Sequence, residues 1–361
     1  MERFKCPGCA ADVQFDPASG ALKCSYCGTV QKVSHPVNSA VRELPFEEFA
    51  RNEDPSRLGA MSQTAVEVAC SSCGSRLECN PDELTATCPF CAAGIVTQPK
   101  VPDPLIAPNA LLPFKVSKDQ AVVSVRSWLS SRWFAPDALK KVARPEGVHG
   151  VYLPFWTFDA RCESEYEGER GDYYYETRTV TRMVNGRQVH QQEQVRRTAW
   201  TAVRGRVHNV FDDVLVAATR SINRKRLNDL DPWDLETVVP YEPAYLAGFK
   251  AQRYQLDLQA GFDEARQLMS PEIHYAACQD IGGDEQRVHD IRTRYDGVAF
   301  KHVLLPVWIG AYRFRGEVFQ VIINARTGEV QGERPYSAAK IALLVAAILL
   351  ALLLAALTAD S

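Results

Sequence analysis

The sequence predicts an α+β chain: two small N-terminal modules, a mainly antiparallel β-rich central domain with an internal duplication, and one C-terminal transmembrane helix. Three observations carry this expectation. Four Cys-x-x-Cys pairs crowd the first 91 residues, segments 151–160 and 303–312 resemble each other, and residues 341–357 contain no polar side chain.

The cysteines come first. Cys6-Pro7-Gly8-Cys9 is followed after fourteen residues by Cys24-Ser25-Tyr26-Cys27, and Cys70-Ser71-Ser72-Cys73 after fourteen by Cys88-Pro89-Phe90-Cys91. The copies match at an offset of 64, an internal duplication. Two residues between cysteines let a tight turn aim both sulfurs at one ion, so the spacing predicts two zinc ribbons with ligands Cys6, Cys9, Cys24, Cys27 and Cys70, Cys73, Cys88, Cys91. Pro7 and Pro89 suit the turns, and Gly28 and Gly74 supply the left-handed residue after a knuckle. In the first ribbon, residues 11–15 alternate as a strand, 16–20 turn and 21–23 return.

Four thiolates around Zn(II) leave about two negative charges, which Arg3, Lys5, Lys23 and Lys32 help offset. They also fill the coordination shell, leaving no position for a catalytic water. The cofactor expectation is two Zn(II) ions, with a rubredoxin-like iron centre as the alternative. No apolar run follows Arg3 and Lys5, which argues against a secretory signal and for reduced thiols. Cys79, Cys162 and Cys278 stand alone and read as small buried hydrophobes.

A net charge of -3 supplies no general attraction to nucleic acid. Tyr26, Phe15 and Phe90 offer stacking surfaces, but Asp12, Asp16, Glu78, Asp82 and Glu83 offset the lysines.

The remaining chain divides by composition. Ribbon 1 takes 1–35, a linker with a short helix near Pro45 takes 36–64, and ribbon 2 takes 65–98. A Pro-rich linker follows at 99–113, then an α+β central domain at 114–336 and a span at 338–358. Asp119 to Lys141 has helical spacing, with Val122, Val125, Trp128, Leu129 and Trp133 on one side. The duplicated segments lead into strands, the first reaching a hairpin at Asn185-Gly186 and the second turning at Gly316 and Thr327-Gly328. Tyr254 to Leu268 reads as an inserted helix.

About twenty apolar residues reach roughly 30 Å as a helix, the thickness of the hydrocarbon core. Arg334 and Lys340 precede the span and only Asp360 follows, so the positive-inside rule puts residues 1–337 in the cytoplasm of a tail-anchored protein. Ala347, Ala351 and Ala355, with Ala342 and Ala346, form small-residue rows suited to oligomer formation through the anchor helix.

The central region carries no phosphate-binding loop, nucleophile elbow or His-Glu-x-x-His, and the expectation is no enzyme. His190 and His208 read as surface residues on strands, and Asp212-Asp213 as a turn or cap with cation binding as the alternative. The basic run Arg220–Arg226 suits either a solvated helix end or anionic headgroups.

The two ribbons, Tyr-Leu-Ala-Gly-Phe at 245–249 and Asn-Ala-Arg-Thr-Gly-Glu-Val-Gln-Gly-Glu-Arg-Pro-Tyr-Ser at 324–337 together resemble a bacterial double zinc-ribbon, C-terminally membrane-anchored family. Its members are often labelled TFIIB-type zinc ribbon or primosomal protein N′ (replication factor Y) helicase-like, and the resemblance covers essentially the whole chain. The motor motifs of a helicase are absent. Relatives include adaptors of phage-shock-type envelope-stress systems. The resemblance implies a bacterial inner-membrane adaptor that recruits protein partners, among them a sister zinc-ribbon protein and SPFH- or virion-core-like proteins. The other expectation is a tethered zinc-ribbon nucleic-acid-binding protein associated with replication or transcription.

Overall fold

A computed structural model describes residues 4–33, 41–50, 58–59, 66–79, 85–96, 104–133, 146–184, 187–314 and 317–359. Ribbon 1 holds β1 (Val13–Asp16), β2 (Ala21–Cys24) and β3 (Val30–Gln31). The short β4 (Leu44–Pro45) and α1 (Phe46–Ala50) follow. Ribbon 2 holds β5 (Val66–Ala69), β6 (Arg76–Cys79), β7 (Thr85–Thr87) and β8 (Gly94–Val96). Next come β9 (Ala110–Leu111) and α2 (Lys118–Ser131), then the long strands β10 (Glu146–Val184) and β11 (Arg187–Ala217). A connecting region carries α3 (Arg224–Asn228), β12 (Val239–Pro240) and β13 (Lys250–Gln252). The chain continues through α4 (Leu258–Ile281), β14 (Glu285–Phe314), β15 (Glu317–Asn324) and β16 (Val330–Gly332) to α5 (Ala338–Ala359).

An eleven-stranded sheet organises the body. Its centre is the antiparallel pair β10–β14, where the duplicated segments meet: Leu153 faces Leu305, its own counterpart in the repeat. Strands β13 and then β11 line the other edge of β10, while β4, β9 and β15 line the other edge of β14.

Burial along β10 changes in three stages, each legible in its residues. Val151 to Phe158 are all buried, because both faces of the sheet are covered there. From Arg161 to Gly168 burial alternates, since α4 covers one face only and packs Ala277 and Ile281 beside Tyr166. The opposite face carries a lattice of ion pairs, including Arg206–Glu163 at 2.7 Å, Arg294–Glu163 at 3.1 Å and Arg204–Glu167 at 3.3 Å. The pairing of β10 with β14 ends at Gly171 opposite Glu285. Farther out, Asp172–Val184 and Arg187–Ala199 pair only with each other, a two-stranded arm.

The two ribbons cover opposite faces of the sheet centre. Val13, Phe15 and Leu22 pack with Tyr152, Leu304 and Trp308, whereas Val68, Leu77 and Phe90 pack with Val151, Leu153, Leu305 and Val307.

Two expectations about the fold are corrected. The α+β class gives way to a β-rich one: the β-rich character expected of the central domain holds for the body as a whole, which among the described residues packs α2 and the longer α4 against its strands. The transmembrane helix at 338–358 is also overturned. A helix forms at Ala338–Ala359, but no helix among the described residues is long and apolar enough to cross a membrane. The single-pass inner-membrane location falls with it, and the tail anchor loses its support.

Smaller differences have local causes. α2 starts at Lys118 under a capping box of Ser117 and Gln120, and it buries Val125, Trp128 and Leu129. Trp133 stays exposed, and residues 134–141 lie outside the described ones. The inserted helix begins at Leu258, where Asp257 caps it by accepting from Ala260 N–H at 2.8 Å. The turn residues Asn185, Gly186 and Gly316 lie outside the described residues, although Val184 pairs with Arg187 across the first turn.

Candidate metal centres

Each knuckle is built the same way. The N–H of the residue after the second cysteine donates to the carbonyl of the first, as in Ala10 to Cys6 (2.9 Å), Gly28 to Cys24 (3.0 Å), Gly74 to Cys70 (2.8 Å) and Ala92 to Cys88 (2.9 Å). All four closing residues have positive φ, at 56° for Ala10, 72° for Gly28, 71° for Gly74 and 57° for Ala92. Glycine fills two of these positions without strain, while alanine holds the other two against its preference.

The four expected ligands of each ribbon converge, with their sulfurs within 4.8 Å of one another. Cys6–Cys27 and Cys9–Cys24 stand at 3.4 and 3.5 Å, and Cys70–Cys91 and Cys73–Cys88 at 3.6 and 3.7 Å. A tetrahedron with metal–sulfur bonds of about 2.3 Å has edges of about 3.8 Å, so both sets fit one ion each.

Electrostatics favour a cation. Hydrogen bonding from the Thr29 hydroxyl and N–H pulls the Cys27 thiol down to about 6, while Cys9 is pushed up to about 12: the Ala11 N–H favours its thiolate, but Cys24 and Cys27 oppose it. Burial pushes Cys88 up to about 12, and in the same site backbone and thiol donors outweigh burial to bring Cys70 down to about 7. Four thiolates at these distances need a positive ion between them. The Thr29 hydroxyl lies 3.1 Å from Cys27, and the fully buried Ser75 hydroxyl lies 3.2 Å from Cys73 and 3.5 Å from Cys88. Both orient sulfur ligands, and the ligand spacing did not reveal either.

One segment, 245–255, grips both ribbons. Phe15 N–H donates to the Ala247 carbonyl at 2.9 Å, and the Phe15 ring meets Tyr245 with centroids 5.1 Å apart. A few residues on, Ala251 and Gln252 pair with Glu78 and Leu77, adding β6 to the large sheet. Arg253 reaches Glu78 at 2.9 Å and Glu67 at 3.2 Å, all three almost fully buried, and Gln255 donates to the Gly74 carbonyl at 3.3 Å. Burial raises the Glu78 carboxyl above its ordinary range even though Arg253 opposes this. In the sequence Glu78 counts only as one of the acidic residues that offset the ribbon lysines; a pairing with a residue 175 positions away leaves no local signal.

Other singled-out residues take structural places. Phe15 and Phe90 are buried, leaving Tyr26 exposed among the three expected stacking aromatics. Lys5 pairs with Asp12 at 2.6 Å, and Arg3 lies outside the described residues. Asp212 and Asp213 form a bulge where the β10–β11 register shifts, and Lys301 supplies a cation 2.6 Å from Asp213. In the basic run, Arg226 pairs with Glu333 at 2.6 Å and Arg224 with Glu264. His190 and His208 are exposed on β11. Cys162 is buried and Cys278 half-buried, and the Cys79 side chain is not among those described.

The two four-cysteine clusters thus fit zinc-ribbon motifs, built onto a β-rich body. The chain is similar to the uncharacterized protein YdjG of Bacillus subtilis (strain 168), at 27% identity over 348 residues, spanning 94% of this chain and 92% of that protein. No protein-family model matches the sequence, and no solved structure matches it.

Proposed function

We propose that the chain is a zinc-stabilised protein-binding scaffold: the metal sites hold its body together and the β10–β11 arm engages a partner protein. The arm carries this reading. At about 3.3 Å per residue, the stretch from Asp172 to Val184 extends about 40 Å beyond the third strand. A two-stranded ribbon with no packed face is marginal in water by itself. Its contacts are modest, among them Arg197–Glu176 at 3.3 Å and Arg196 over the Tyr173 ring at 4.2 Å, while Tyr174, Tyr175 and Met183 are exposed. Added strands on its open edges would give it the packing it lacks.

Zinc fits the sulfur-only ligand sets, and four thiolates per ion leave no position for substrate, which supports a binding role over catalysis. Elemental analysis should find two zinc ions per colourless chain; a red, iron-loaded protein sinks the zinc assignment. For the arm, residues 177–194 are replaced by Asn-Gly and the chain is crosslinked in cells beside the unaltered protein. The shortened chain should keep its zinc and melting temperature while losing specific crosslinked partners. An unchanged partner set defeats the proposal.

A further inference from the structure

A cleft of about 540 Å³ opens where ribbon 1 leans on the sheet. Ribbon 1 contributes Gln14 and Lys23, α2 begins at its wall with Lys118, and Lys250 of β13 stands beside Phe249 and Trp308. Three lysines from three separate elements therefore line one concavity. One carboxylate also lines it, Asp16, which accepts from the Ser19 hydroxyl at 2.8 Å and N–H at 3.2 Å within its own turn and also feels the charge of Lys23.

Lys23 is not merely the counter-charge of the metal site next to it. On β2 the side chains alternate: Leu22 and Cys24 are buried toward the core and Lys23 is exposed on the other face. Burial holds His149, which also lines the cleft, below its ordinary range, and Lys250 and Lys118 push the same way. The imidazole is thus neutral near pH 7, and two of the three cations lie close enough to act on the same point. The positive end of α2 adds to that field.

We propose that this cleft binds a small phosphorylated molecule with an apolar or aromatic body. Its volume falls within the range of about 300–1,000 Å³ typical of small-molecule sites. Lysines bind phosphates as point charges, and a multiply charged phosphoryl group can satisfy several of them where a single carboxylate cannot. The edges of Phe249 and Trp308, otherwise buried in the core, give the rest of the ligand an apolar floor. Such a ligand would touch ribbon 1, α2 and the sheet together, so its binding would brace the ribbon on the body. The site is separate from the arm and does not depend on the scaffold reading.

Calorimetric titration of the zinc-loaded full chain at fixed ionic strength, with pyrophosphate and with ADP as probes, tests this. Both should bind saturably, ADP more tightly because of its base. Lys118→Glu should weaken binding by about tenfold or more, with zinc content unchanged, whereas Lys225→Glu on α3 should have no effect. In the unaltered protein, ADP should also shield Lys23, Lys118 and Lys250 from acetylation read by mass spectrometry. Absence of saturable binding up to about 1 mM overturns the proposal, as do equal affinities across the variants. Binding of a short single-stranded DNA while both small probes fail likewise overturns it, in favour of a nucleic-acid groove.

Discussion

Ribbon 1 and ribbon 2 share ligand spacing and knuckle geometry, yet they belong to the molecule in different ways. Ribbon 1 closes a three-stranded sheet of its own and leans on the body through the Phe15 N–H, its ring and a few apolar neighbours. The β5–β6 hairpin of ribbon 2 is the end of the eleven-stranded sheet and is further held by buried Arg253, Glu67 and Glu78. One metal motif can therefore serve as an attached module or as part of a core. The neighbouring strand, not the ligand set, decides which.

Metal loss should separate the two most sharply. Structural zinc contributes on the order of 10 kcal/mol, as much as a typical domain's whole stability. Cys88→Ser should therefore expose the amides of β6, β13 and the central β10–β14 pair to hydrogen exchange. Cys24→Ser should confine the new exchange to ribbon 1 and the 245–249 contact. Identical exchange maps for the two variants would break the comparison.

The contacts under each ribbon give a smaller contrast. Arg253→Met strands two buried carboxylates and should cost about 3–5 kcal/mol. Phe15→Ala should cost about 3 kcal/mol through the cavity it leaves. Zinc release to a chromogenic chelator should accelerate from site 2 in the first variant and from site 1 in the second. Faster release from both sites in either variant would mean that segment 245–255 transmits between them.

Acid stability offers a control on the sheet shared by both ribbons. Burial brings His302 down to about 4, with the Ile106 and Ala107 carbonyls pulling weakly the other way. Its folded value lies below its unfolded one, so its contribution is complete above about pH 6.5 and declines as pH falls toward 4, by on the order of 2–3 kcal/mol. Melting curves of His302→Gln should be flatter than wild type between those values, at constant zinc content. An equally steep decline would assign the acid limb to the thiolates instead.

The smallest effect lies in the knuckles. Ala10→Gly and Ala92→Gly relieve a left-handed alanine and should each raise stability by about 0.5–1 kcal/mol, seen as a modest rise in melting temperature. A loss of stability would show that the methyl groups contribute more by packing than they cost in strain.

The two four-cysteine clusters are legible in the sequence because such geometry is local: two intervening residues and a turn determine where paired sulfurs point. The same holds for the long strands, whose apolar run from Val151 to Phe158 and later alternation state how many faces are covered. The apolar tail shows where such reading overreaches: residues 341–357 have the composition of a span, yet no helix among the described residues meets its length and apolarity.

By itself, then, the sequence determined the two four-cysteine sets, the duplicated strand segments and the place where β10 turns back into β11. Only the tertiary structure decided that the ribbons cover opposite faces of one sheet, that Arg253 ties Glu67 and Glu78, and that Lys23, Lys118 and Lys250 share a cleft. The first group depends on neighbours in the chain, which spacing and periodicity record. The second depends on pairings between distant strands, where partners are chosen by burial and charge once the sheet has formed.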